Sequence, residues 1–293
     1  MDIKGQGRAD SALIKKNQRD EITGYEIYSR LAARVADAKN AKLLADIATS
    51  EKEHYAILKK YSGVDVKPAR FKVFMYLLFA RVLGLTFTLK LQERAENGAG
   101  DSYAGLAGFV PEIATILADE DRHEHELIDL IKESRLEYMG SIVLGLNDAL
   151  VELTGALAGY TFALQDGRLI AVIGLITGIA ASLSMASSEF LSKRQEGSIR
   201  EAMKASLFTG GAYVFTVIAL ITPFLTMDNP YHALAVAITV ALVIIFLFNY
   251  YISVAKDLHF GKRFAEMASI SLGVAALSFG IGWLVRSVWG IEV

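Results

Sequence analysis

Apolar residues run along this chain in two different rhythms. Up to about residue 137 they recur every three or four positions with charged residues between them, the signature of helices that bury one face. Four such stretches are predicted, over 10–37, 40–61, 70–97 and 111–137, and the turn-forming segments SGVDVKP and NGAGDS separate the later ones. Beyond residue 138 the rhythm gives way to five long apolar runs, roughly 141–165, 168–190, 206–226, 231–255 and 267–289. A helix of about 20 apolar residues crosses the hydrocarbon core of a bilayer, so each run predicts a span. The expected fold class is all-α: a four-helix bundle over 1–137, then a five-helix transmembrane domain over 138–293.

The stretch from Phe71 to Leu91 is nearly apolar enough to be misread as a sixth span. Lys72, Arg81 and Lys90 interrupt it, so it reads as a bundle helix with surplus apolar surface, suited to contact with the membrane surface or, more naturally in a homodimer, to a subunit interface.

Charge sharpens the division. Residues 1–137 carry 22 acidic and 21 basic side chains, whereas 138–293 carry only 10 and 9. Both signs are interspersed, without the basic stripe that nucleic acid requires. With no cysteine in the chain, thiolate metal sites and cysteine-ligated clusters are excluded, and a transition metal would rest on oxygen and imidazole ligands. The polar start, MDIKGQGRADSALIKKNQRDE, lacks the apolar core of a signal peptide, so the first half is expected in the cytosol. Loop cations give the same orientation independently. Lys193, Arg194, Arg200 and Lys204 follow the second span and Lys256, Lys262 and Arg263 follow the fourth, whereas the loops at 166–168 and 226–231 hold one cation or none. By the positive-inside rule the N-terminal half is cytosolic and Val293 lies outside.

The candidate chemistry begins with two Glu-x-x-His spacings, Glu51 with His54 and Glu120 with His123. Residues three apart share a helix face, so each pair aims a carboxylate and an imidazole at one point. The first helix adds Glu21, with Tyr28 two turns later on the same face, and the third adds Glu93 and Glu96. Five carboxylates and two imidazoles, projecting inward from four helices, are the makings of a carboxylate di-metal site. Asp20, Glu26, Glu53, Asp119, Asp121, Glu124, His125 and Glu126 read as a solvated face or as partners of the ligands, with Glu124 and His125 the alternative ligands. In the membrane half, ionisable residues within spans point to function. Asp148 and Glu152 lie one turn apart in the first span, and Met185 and Glu189 one turn apart in the second. Three carboxylates and a thioether suit a divalent metal such as Fe(II). The competing readings are that Glu189 snorkels at the membrane edge and that Met185 fills a packing gap.

These residues resemble a known combination, a rubrerythrin-like ferritin domain joined to a vacuolar iron transporter domain, as in the membrane-bound ferritin or erythrin-vacuolar iron transport family. The first part of the resemblance rests on Glu21 with Tyr28, SEKEHY, the Glu93 and Glu96 pair and the Glu120 and His123 pair, and the second on GLNDALVELTGALAGY and GIAASLSMASSEFLSKRQ. It implies a di-iron centre, with Mn or Zn as substitutes, on Glu21, Glu51, His54, Glu93, Glu96, Glu120 and His123, bridged by Glu51 and Glu120. The implied transporter is a five-span homodimer that exchanges Fe(II) for protons along a path lined by Asp148, Glu152, Met185 and Glu189. Two departures stand out: there is no cysteine-bound rubredoxin-like domain, and KRQEGSIREAMKAS is too short and too basic for the Glu-rich insert that plant members carry after the second span. The ferritin-like domain could supply iron capture instead. The expected function is thus Fe(II) export across the inner membrane of a prokaryote. A membrane-anchored ferroxidase or peroxide scavenger, and a transporter of Mn(II) or other divalent metals, are the alternatives.

Overall fold

Asp37 marks the first local decision of the chain. Its carboxylate accepts the Asn40 N–H at 2.8 Å and starts a new helix, so the first helix stops at Ala32 and does not run to 37. In the computed structural model, which describes residues 3–97, 106, 108–130 and 138–289, all regular structure is helical. The first unit comprises α1 (Ile3–Ala32), α2 (Ala38–Ser62), α3 (Arg70–Val82), α4 (Leu85–Asn97) and α5 (Ile113–Leu130). The second comprises α6 (Met139–Leu164), α7 (Gly167–Glu196), α8 (Ile199–Thr226), α9 (Pro230–Ala255) and α10 (Phe260–Trp289). The two units are Met1–Glu133 and Ser134–Val293.

The helix expected over 70–97 is two helices. Both the Leu83 and Gly84 N–H groups turn back onto the Phe79 carbonyl, and Gly84 leaves the helix at φ 102°, a conformation that costs glycine least. The spans are longer than their apolar windows, because hydropathy marks the part that meets lipid and not the turns that project beyond it. Thus α8 begins at Ile199, where Ser198 and Glu201 form a reciprocal capping box, and most of the expected loop after the second span is helical.

In the first unit, α1 and α2 pack side by side. One apolar cluster gathers Ile27, Leu31, Leu44, Ile47, Tyr76 and Leu77, and another gathers Ile14, Leu58, Val110, Ile113 and Ile116. Along both α1 and α2 a polar layer falls between them. Gln18 ties α1 to the end of α2, donating to the Val64 carbonyl at 2.9 Å and accepting from Ser62 Oγ at 2.7 Å. Thr23 Oγ1 accepts the Ala69 N–H at 2.9 Å, which fixes the approach to α3.

The second unit packs on small residues. Gly145 of α6 lies against the Thr209 backbone of α8, and Gly159 of α6 meets Gly282 of α10, backbone to backbone. A Cβ at Gly145 or Gly282 would overlap main-chain atoms that no rotamer change can move. Ser182 Oγ donates to the Gly210 carbonyl at 3.1 Å and Ser206 Oγ to the Ala186 carbonyl at 2.6 Å, joining α7 to α8. The core gathers Leu150, Leu153, Leu157, Val217, Leu220 and Phe224, while Ile176, Leu183, Phe215, Leu225, Leu247 and Leu277 stand more than half exposed. Water would not tolerate so continuous an apolar exterior. All five helices are long and apolar enough to cross a bilayer, so this unit is a multi-pass membrane domain.

Candidate functional site

The polar layer of the first unit is built from three helices. On α1 Glu21 is 2% exposed, and on α2 Glu51 and His54 are 3% and 2% exposed. From α5 come Glu120 and buried His123. His54 Nδ1 faces Glu21 Oε2 at 3.3 Å and Glu120 Oε1 at 3.2 Å. Two groups of donor atoms result, Glu21 with His54 and Glu120, and Glu51 with Glu120 and His123, each within 4.8 Å of one another. Ligands about 2.1 Å from a common ion lie about 3.0 Å apart when adjacent and about 4.2 Å apart when opposite, so a group spread over as much as 4.8 Å closes on one ion with a contraction of a few tenths of an ångström. Glu120 belongs to both groups, as a bridging carboxylate must. Glu51 belongs to the second group alone.

The electrostatics of the cluster follow from its burial and its facing carboxylates. Burial works against protonating His54, but the Glu120 and Glu21 carboxylates facing it prevail and hold its pKa up at about 10. Burial also raises Glu120. His123 is pushed down to about 4, first by burial and then by the positive charges of His54 and Arg122. Without a metal, therefore, the positive charge among these carboxylates is the His54 imidazolium, while His123 stays neutral. His123 Nδ1 is buried and has no hydrogen-bond partner among the described residues. A buried, neutral, unsatisfied imidazole nitrogen is costly as a structural element and ready as a ligand.

Asp119, expected on the solvated face or beside the ligands, takes the second place. Its Oδ2 lies 3.3 Å from His54 Nε2 and its Oδ1 accepts from Arg122 at 2.8 Å, which fixes the ring so that Nδ1 points into the cluster. Glu93 is buried but forms an ion pair with Lys90 on its own helix at 3.1 Å and belongs to neither donor group. The side chains of Glu96, Glu124 and His125 lie outside the described residues.

Gly24 is a residue that the Glu and His spacings do not reveal. It sits one turn after Glu21, and the Glu51 carboxylate occupies the space its Cβ would fill. The sequence signal is a glycine on the ligand face of a helix, where it costs about 1 kcal/mol against alanine. Gly24→Ala should push the flexible Glu51 carboxylate aside, weakening metal binding roughly tenfold while the metal-free protein melts no lower. Co(II) titration by absorbance beside a melting curve checks this.

In the second unit Glu189 is buried and accepts from Ser141 Oγ of α6 at 2.6 Å. It is held between α6 and α7. Thr209 Oγ1 donates to the Ser141 carbonyl at 3.0 Å, adding α8 to the junction. Two turns further along α6, Asp148 is half-buried and contacts Glu152, whose exposed carboxylate accepts from Tyr213 Oη at 2.7 Å. Ser141, Gly145, Asp148 and Glu152 fall at i, i+4, i+7 and i+11, so they form one stripe along α6. Met185 packs half-buried against the apolar core. Ser141 and Tyr213 are partners that a search for acidic residues passes over.

Residues 139–205, from the first turn of α6 through α7 into the start of α8, match the model of the VIT family, the vacuolar iron transporters. No curated protein gives a significant match to the chain.

Proposed function

We propose that this chain is an Fe(II) exporter of a prokaryotic inner membrane that exchanges Fe(II) for protons, with a cytosolic, ferritin-like di-iron unit that captures, senses or oxidises the metal. The observation that carries the reading is the VIT match over 139–205, because that segment contains Asp148, Glu152, Met185 and Glu189 and lies within a multi-pass domain. The Asp148 and Glu152 carboxylates in contact one turn apart need a proton or a cation between them, which is the elementary requirement of antiport. Glu189, fixed by Ser141 two turns away, offers the next carboxylate on the same line, and the Met185 thioether is a soft donor beside it. A homodimer would enclose the exposed Glu152 side of α6.

In the first unit Glu21, Glu51, His54, Glu120 and His123 would hold two ions, with Glu93 and Glu96 on α4 the further candidates, and bound iron would supply the redox chemistry. Iron is the first choice of metal and Mn or Zn are substitutes. The chain's own contribution is to exclude water, to fix His54 through Asp119, and to exchange the His54 proton for the metal. Loading with Zn(II) at pH 7 should therefore release close to one proton per chain from His54 and none from His123, because only the first carries a proton there. Apparent affinity should fall about tenfold per unit as pH is lowered below the His54 value, whereas in His54→Gln both the proton and this slope should be missing. A pH indicator in weak buffer reads both.

The buried cluster also favours a second reading, an anchored ferroxidase or peroxide scavenger. Proteoliposomes with a pH dye inside separate the two. Fe(II) uptake coupled to proton counterflow, reduced but not abolished in Glu51→Ala, is expected of the exporter. Wild-type protein that moves no metal but consumes oxygen or peroxide with Fe(II) would put the anchored enzyme in its place, and movement of Mn(II) in preference to Fe(II) would reassign the cargo.

A further inference from the structure

One face of the first unit takes no part in the metal cluster. α3 is apolar on two sides: Val73, Tyr76 and Leu77 are buried, whereas Phe71, Phe74, Leu78 and Val82, three or four apart, form a second stripe between 39% and 78% exposed. Beside this stripe, α3, the end of α1 and Pro68 line a groove of about 620 Å³. Apolar Val73, Phe74 and Leu77 share it with Arg34, Arg70 and Arg81. Arg30 lines it too, but is paired with Glu26 at 2.6 Å. Among the described residues Arg34, Arg70 and Arg81 form no ion pair.

Three unpaired guanidiniums around apolar side chains call for an occupant that is anionic at one end and apolar at the other. A second copy of the chain fits less well. A two-fold contact centred on the groove would set these arginines against their own copies, and Glu26 is already held by Arg30. Past Leu130 the chain continues into α6, the first membrane-spanning helix, so any bilayer that holds the second unit is within reach of the first. We propose that the α3 face docks on the acidic phospholipid headgroups of that bilayer, with the Phe71, Phe74, Leu78 and Val82 stripe in the interfacial layer and Arg34, Arg70 and Arg81 on lipid phosphates. This docking follows from the multi-pass character of the second unit and not from what that unit transports.

The test uses the full chain in nanodiscs. Because the sequence has no cysteine, Val82→Cys gives one attachment point for an environment-sensitive fluorophore. In discs rich in phosphatidylglycerol the emission is expected to shift to the blue and to be quenched by nitroxide lipids, and salt should reverse both. In pure phosphatidylcholine neither should occur. Replacing Arg34, Arg70 and Arg81 together by Gln should abolish the shift, roughly fivefold in docking equilibrium per charge removed, with helical content unchanged because all three are exposed. Equal emission in both lipids would overturn the proposal. So would a blue shift accompanied by energy transfer between donor- and acceptor-labelled chains, which identifies a second copy, or one produced by soluble glycerophosphate in detergent, which identifies a site for free anions.

Discussion

If the first unit holds two ions as proposed, Glu120→Gln should empty both positions at once. Its carboxylate is the one donor common to both groups, and the amide keeps the shape while removing the charge and one ligating oxygen. Binding should weaken on the order of 100-fold or more at both positions, beyond the 10- to 100-fold typical of losing a partner one shell further out. Glu21→Gln and His123→Ala provide the contrast, since each belongs to one group only and should cost one ion. Metal content per chain, measured on purified full-length protein, separates the three variants. If Glu120→Gln still holds as much metal as wild type, the shared-carboxylate geometry is wrong. Helical content should be unaffected, because Glu120 is about one-fifth exposed and lies in the polar layer between two apolar clusters.

On the proposed export reading, Asp148→Asn should cut Fe(II) flux by about two orders of magnitude while leaving metal binding by the first unit unchanged. A cation that meets an amide where the path offered a carboxylate loses its countercharge in a poorly solvated place. With about 3 kcal/mol as the scale for an unscreened charge at that depth, flux falls roughly 100-fold. Proton counterflow should fall with it, since the same carboxylate would exchange the two cations. Glu152→Gln is expected to do less, because its carboxylate is exposed and already engaged by Tyr213. Flux that survives in Asp148→Asn would show that the path avoids the α6 stripe.

Much of this was legible in the residues. The five spans followed from apolar runs longer than any soluble core needs, and the residue types of the cluster followed from Glu-x-x-His spacing, because a helix turns spacing into direction. What spacing could not show was distance. Glu21, Glu51, His54, Glu120 and His123 come together, whereas Glu93, at an equally favourable spacing, is paired with Lys90. The break at Gly84 sits between these cases: periodicity runs through it without interruption, and only the positive φ of one glycine shows that α3 and α4 are separate. Glu189 was ambiguous for a similar reason. Its position near the end of an apolar run allowed snorkelling, and the Ser141 hydroxyl that holds it lies 48 positions away, beyond any local pattern.

The glycine contacts of α6 carry a mechanical consequence. Side chains absorb small displacements by rotating, whereas main chain pressed on main chain cannot. At Gly145 against Thr209 and at Gly159 against Gly282, α6 is geared directly to α8 and α10, on either side of Asp148. A pull or twist on its first turn at Met139 would reach both neighbouring helices without slack. The acidic stripe is thus mounted on a helix whose main chain meets main chain at both crossings, so α6, α8 and α10 should shift as one body and carry Asp148 and Glu152 with them.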